Sequence, residues 1–324
     1  MTHAKGFSSA LLIGLLMASA RVAAQPDPAD PANSDIPADT PMGSGPYRAI
    51  MEMDRTLPTH TLYRPADLSK AGKLPVVLWG NGACWNAGNA FRWFLSDIAS
   101  YGYFVIALGP IVKQQLRMEQ QSMIPVAPTG PPDLARAKLP PPQTHSGQLI
   151  EALNWAIAEN ERSGSRLRGH LNTAAVAVMG QSCGGAQALE VSADPRIVTT
   201  VIWNSGLFRE PTAMGGGRAL TREDLKQLHA PTAIISGDEE DIAFVNAEEN
   251  FELIKRIPVF RAYARGVLHS GTYGQRYGGE FAGVAVGWLN WQLKHDARAA
   301  KMFVGRDCGL CVNPHWVVRT KNMP

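Results

Sequence analysis

Residues 174–185 read Ala-Ala-Val-Ala-Val-Met-Gly-Gln-Ser-Cys-Gly-Gly, an apolar run that stops at Gly180 and exposes one hydroxyl, Ser182, among glycines. Glycines flanking a serine permit a turn too tight for side chains, and the small residues from Ala186 onward read as a helix. Strand, turn and helix in that order lift a serine hydroxyl above the end of a sheet, where a base can reach it. The chemistry such a hydroxyl suits is nucleophilic attack on an acyl carbon. The N–H of Cys183, at the helix N-terminus, then points to where a tetrahedral oxyanion would form.

A nucleophilic serine needs a base, and the base needs a group to orient it. Pro231–Gly237 (Pro-Thr-Ala-Ile-Ile-Ser-Gly) reads as a buried strand, and Asp238, Glu239, Glu240 and Asp241 crowd the loop after it. A second strand candidate, Val259–Val267, leads into Leu268-His269-Ser270-Gly271. Serine, acid and histidine therefore each follow the C-terminal end of a separate strand, the edge at which open α/β sheets assemble their sites. Asp241 is the favoured acid because Ile242-Ala243 begins an apolar segment that can hold its carboxylate inward. Asp238 is the alternative, although directly after the turn glycine it is better placed to meet solvent or cap the turn.

Gly-Gln-Ser182-Cys-Gly-Gly, Gly-Asp-Glu-Glu-Asp241-Ile-Ala and Leu-His269-Ser-Gly-Thr resemble the α/β-hydrolase superfamily. The resemblance is greatest to its secreted branch of cutinase-like polyester hydrolases, dienelactone-hydrolase-like proteins and platelet-activating-factor acetylhydrolase relatives. Ala99–Ala107 and the helix Glu151–Asn160 with Trp155 are similar to segments of that branch, so the likeness spans about residues 73–296. It implies Ser182 as nucleophile, His269 as base and Asp241 as its orienter. Two departures stand out: cysteines at 84 and 183, and Trp79-Gly-Asn-Gly in place of the common His-Gly or Pro-Gly.

An oxyanion hole requires a second donor, expected from the glycine-rich loop Gly80-Asn81-Gly82-Ala83-Cys84 after the strand Leu74–Trp79. With Asn81-Gly82 in the place of His-Gly, the donor is the N–H of Ala83. An ordinary strand-end turn explains the same glycines. On the hydrolase reading the two donor loops lie side by side, so Cys84 can bridge to Cys183 while Cys308-Gly-Leu-Cys311 closes a small ring. Free buried thiols, crossed pairs or a redox or metal role for the Cys-x-x-Cys stay open.

The N-terminus reads as an export signal: His3 and Lys5, the apolar core Ala10–Ala18, and Val22-Ala-Ala24 before a cleavage point at Gln25. A core that short cannot span a bilayer as a helix, so no stable membrane insertion is expected and the protein should be secreted or periplasmic. Export makes the four cysteines disulfide candidates. Residues 25–46, rich in Pro and Asp, read as a disordered tether, leaving 47–324 as the catalytic domain. Charge excludes another class. Lys and Arg number 31 against 28 for Asp and Glu, and without Lys5 and Arg21 the count is 29 to 28, a near-neutral balance that gives no support for binding nucleic acid or an anionic membrane.

Between the motifs, strands alternate with helices. Helices are expected at Arg92–Ser100, 147–160 and Phe281–Leu293, and strands at Tyr103–Leu108 and Arg196–Trp203. That rhythm predicts an α/β-hydrolase fold, a mostly parallel central sheet with helices on both faces. Residues 113–144, rich in Gln and Pro, break it and read as an insertion or substrate flap. Residues 297–324 read as a C-terminal tail. Trp85, Leu207 and Phe208, with Trp203, can wall an apolar substrate pocket, although a strand-end tryptophan equally serves the core.

The expectation is a cofactor-free serine esterase, without metal, acting on a small-molecule or polymeric ester. A serine peptidase or amidase on the same fold, and an inactive hydrolase-fold binding module, are the rivals.

Overall fold

The β-branched runs of the sequence become strands, and the segments with apolar residues three and four apart become helices. In the computed structural model, which describes residues 1, 37–113 and 141–324, the strands are β1 (Ala49–Asp54), β2 (Leu57–Pro65), β3 (Leu74–Gly80), β4 (Phe104–Leu108), β5 (Leu171–Gln181), β6 (Ile197–Trp203), β7 (Thr232–Gly237), β8 (Val259–Ala264) and β9 (Trp316–Lys321). The helices are α1 (Arg92–Ser100), α2 (Gly147–Glu161), α3 (Cys183–Val191), α4 (Phe244–Leu253), α5 (Gly279–Lys294) and the short α6 (Ala297–Ala300). The strands pair in the order β1-β2-β4-β3-β5-β6-β7-β8-β9. From β4 to β8 every pair is parallel, whereas β1/β2, β2/β4 and β8/β9 are antiparallel.

Alternation along the strands divides the interior into two layers. Val77 and Trp79 of β3 face a layer completed by α1 and α5, in which Phe94, Ile98, Phe281, Trp288 and Leu289 are buried. Val76 and Leu78 face the opposite layer, completed by Leu149 and Leu153 of α2, Leu189 of α3 and Phe251 of α4. A strand buried on both sides cannot show a polar face, which is why β3, β4 and β7 read as continuous apolar runs. The protein is thus α/β, with a mostly parallel mixed sheet covered by helices on both faces.

Several boundaries differ from the sequence-based expectation. β8 ends at Ala264 rather than Val267, because Gly266 turns the chain at φ +71° and its N–H is captured by Asp238 Oδ2 at 2.6 Å. α3 begins at Cys183, three residues before the expected Ala186. The hairpin β1/β2, helix α4 and edge strand β9 were not anticipated. Residues 297–324 are no loose tail. They supply β9 and bury Phe303, Leu310 and Trp316 in the layer beside α5.

The expected export signal, residues 25–36 of the tether, and residues 114–140 of the insertion lie outside the described residues. Residues 37–46, assigned to the tether, are packed: Met42 is buried and bridges to Ala49, while Ser44 N–H donates to Asp97 Oδ1 at 2.7 Å. Gly43 and Gly45 permit this, since a Cβ at either would fall within 2.5 Å of Ser100 atoms. The far end of the insertion is anchored too, with the N–H groups of Gln143 and Thr144 both donating to the Cys84 carbonyl. Among the described residues no helix is long and apolar enough to cross a membrane.

Candidate active site

Strand register brings five loops out at one edge of the sheet. Gly80 pairs with Gly180, Gln181 with Trp203, Trp203 with Ile235, and Gly237 with Ala264. The residues that follow those ends are Asn81–Cys84, Ser182, Asn204, Asp238–Asp241 and the turn to His269.

Ser182 occupies φ +53°, ψ −118°, outside the regions ordinary residues favour. Such strain persists only where the surroundings over-determine it. Here Ser182 N–H donates to Trp203 O at 2.9 Å, and Ser205 Oγ donates to Ser182 O at 2.6 Å. The glycines around it have steric reasons. A Cβ on Gly180 would sit 2.1 Å from Gly184 O, and one on Gly184 would sit 2.0 Å from Gly80 O. The turn therefore closes directly against the end of β3.

The Ser182 Oγ is 2.9 Å from His269 Nε2, and His269 Nδ1 is 2.7 Å from Asp241 Oδ1. The imidazole is a quarter exposed, whereas the Asp241 side chain is fully buried. Four donors converge on that carboxylate. Oδ1 takes His269 Nδ1–H and the Ala243 N–H (2.9 Å), and Oδ2 takes Asn204 Nδ2 (2.8 Å) and the Gly237 N–H (3.0 Å). Burial alone would raise the Asp241 pKa, but these hydrogen bonds, led by that from His269, hold it below the ordinary value. A buried acceptor-only carboxylate obliges His269 to carry its proton on Nδ1 and leave Nε2 free to take one from Ser182. Asp238 does different work: its carboxylate accepts from Glu240 N–H and Gly266 N–H, stitching the turn.

The loop after β3 carries two consecutive non-glycine residues at positive φ, Ala83 (52°) and Cys84 (49°). What pins it is Asn81, fully buried. Its Nδ2 reaches the carbonyls of Trp85 (3.0 Å), Ala87 (3.1 Å) and Leu108 (2.6 Å), while Oδ1 accepts from Trp79 Nε1. The Cys84–Cys183 disulfide, Cα–Cα 5.2 Å, then ties this loop to the residue after Ser182; Cys308 bonds to Cys311. Neither the Ala83 N–H nor the Cys183 N–H is donated to another group among the described residues.

Gln181 couples the loops further, its Nε2 donating to the His269 carbonyl at 3.0 Å while its Oε1 lies where a Cβ on Gly82 would be. Tyr273, four residues past His269, is buried among the rings of Trp79, Phe91, Phe94, Trp203 and Phe281. Its hydroxyl donates to Asn204 Oδ1, and burial, with the Asp241 charge adding to it, keeps the phenol protonated far above its ordinary pKa. Gln181, Asn204 and Tyr273 were not singled out from sequence, and Asn81 was named only as standing, with Gly82, in the place of His-Gly. Only their neighbourhood to the glycine-bounded turns and the histidine hinted at them.

The residues expected to wall a pocket are buried: Trp85 and Phe208 are 9% exposed and Leu207 3%. Leu207 belongs to the apolar layer shared with α3 and α4, its backbone N–H and C=O both bonded to the Asn250 side chain. Trp203 is wholly core. Two cavities of about 530 and 620 Å³ open elsewhere, and neither is lined by Ser182, Asp241 or His269. Among the described residues no cluster of His, Cys, Asp and Glu could hold a metal ion. No protein-family model matches this chain, and no curated protein matches it.

Proposed function

We propose that the protein is a secreted or periplasmic serine hydrolase with the α/β-hydrolase fold, cleaving carboxylic esters through an acyl-enzyme. The observation that carries this reading is the unbroken hydrogen-bonded line from Ser182 through His269 to Asp241. The two disulfides support an oxidising compartment.

Ser182 Oγ attacks the ester carbonyl carbon as its proton passes to His269 Nε2. Asp241 steadies the resulting imidazolium across the Nδ1–H bond without taking the proton. The negative charge on the former carbonyl oxygen is met by the N–H groups of Cys183 and Ala83, and the N-terminal end of α3 adds its dipole. Collapse of the tetrahedral intermediate breaks the bond to the alcohol, which leaves with the proton from Nε2. Water, deprotonated by His269 in turn, releases the carboxylate and restores the serine. Neither metal nor cofactor enters this cycle.

A panel of chromogenic esters of rising acyl length, together with an aromatic polyester film, tests the reading. Turnover by the wild type and none by the Ser182→Ala variant is the expected result. Equal rates for the two proteins would refute it.

A further inference from the structure

Behind the Ser182–His269–Asp241 line stands a second polar pair that the proposed chemistry does not use. Asn204 follows β6 at φ +41° and is wholly buried, with Nδ2 on Asp241 Oδ2 and Oδ1 receiving the Tyr273 hydroxyl. An ionised carboxylate only accepts hydrogen bonds, so the amide edge facing Asp241 must be the NH₂. Its oxygen must then face Tyr273, and the phenol must donate. Tyr273 is itself immobilised by the aromatic rings around it, with centroids 5.1 to 6.2 Å away. The carboxylate thus sets which way the amide faces, and the phenol, held in place by its neighbours, supplies the amide oxygen with a fixed donor.

We infer that Asn204 and Tyr273 form a positioning pair that holds the Asp241 carboxylate, and through it the His269 ring, in the orientation facing Ser182. This rests on the hydrolase reading for its kinetic consequence, but not for its effect on the ring. The amide donates to Asp241 Oδ2, the oxygen that His269 does not use, and so draws on the same negative charge that would stabilise a positive imidazole. Removing it makes His269 easier to protonate. The other charged or titratable groups facing Asp241 are Arg261 of β8, which is paired with Glu248 of α4, and Tyr273 itself. Asp238, on the same loop, is engaged by backbone N–H groups. Replacing Asn204 leaves Arg261 and Asp238 with the same partners and takes from Tyr273 only the acceptor of its hydroxyl.

The test uses the full disulfide-bonded chain with labelled histidine. The His269 ring is titrated by NMR in a Ser182→Ala background and compared with added Asn204→Gly, Tyr273→Phe and both. Glycine keeps the left-handed backbone at 204 without strain while deleting the amide. The midpoint should rise most in Asn204→Gly, less in Tyr273→Phe, and no further in the combined variant. In the catalytically intact chain, Asn204→Gly should lower kcat about ten- to hundredfold, the worth of one hydrogen bond to a charged group, with KM little changed. An unmoved midpoint in folded Asn204→Gly or Tyr273→Phe protein overturns the pair, even if activity drops. Absence of any ester turnover by the wild type removes the hydrolase reading instead, while the titration still decides whether the pair acts on the ring.

Discussion

Ser182 and His269, 87 residues apart in the chain, meet at 2.9 Å between Oγ and Nε2 because β5 and β8 both end at the same edge of the sheet. If that contact transfers the serine proton, either residue alone is indispensable. Ser182→Ala and His269→Ala should each lower turnover by about ten-thousandfold or more, and the combination should add little. Steady-state kinetics on the best ester of the panel measures this. Losses that multiply in the double variant would mean the two residues act independently.

The two aspartates of the loop after β7 should separate cleanly. Asp241→Asn leaves the shape but presents the imidazole with the wrong partner, and should cost about ten-thousandfold in kcat. Asp238→Asn weakens the capping of the Gly266 and Glu240 N–H groups, and should lower thermal stability by about 1 kcal/mol while activity is retained. The reverse pattern would assign the orienting role to Asp238.

The contrast between these aspartates shows what sequence could convey. Asp241 precedes an apolar segment and Asp238 a turn, and that local difference sufficed to distinguish their settings. Likewise the strand–turn–helix around Ser182 was legible, because glycines at 180 and 184 are demanded by contacts within a few residues and with β3. Asn204 and Tyr273 were not legible. Their roles come from non-local approach: an asparagine after a strand and a tyrosine in a loop acquire partners only when β6 and the turn before α5 pack together. β1 and β9 escaped notice because edge strands lack the long apolar runs of β3 or β7, and β2, although paired on both sides, because polar residues interrupt its Leu-Pro-Thr-His-Thr-Leu-Tyr-Arg-Pro.

The Cys84–Cys183 bond closes a span of 99 residues and joins both proposed oxyanion donors. By the chain-entropy argument, the Cys84→Ser/Cys183→Ser variant should lose about 4 to 5 kcal/mol of unfolding free energy, against about 2 for the Cys308/Cys311 pair. If the bond also fixes donor spacing, kcat should fall toward the roughly hundred- to thousandfold loss of one missing donor. Chemical denaturation and kinetics on the same preparations separate these effects. Full kcat at reduced stability would confine the bridge to folding.

Acid should weaken the fold partly through Asp241. Its carboxyl is held below the ordinary value of 3.8 by its hydrogen bonds, against the opposing effect of burial. A lowered folded-state pKa contributes stability that is complete above the unfolded value and disappears as pH falls through the folded one. The stability difference between wild type and Asp241→Asn should therefore shift against the wild type below about pH 4. Denaturation midpoints from pH 7 to 2 give the curve. A difference constant across that range would contradict the assignment.

The most direct measurement is stoichiometric labelling with a fluorophosphonate, followed by mass-spectrometric mapping of the adduct. The account predicts one phosphonyl group per folded chain, on Ser182, abolished in His269→Ala. A folded wild-type protein that stays unlabelled, or carries the label on another residue, would contradict it.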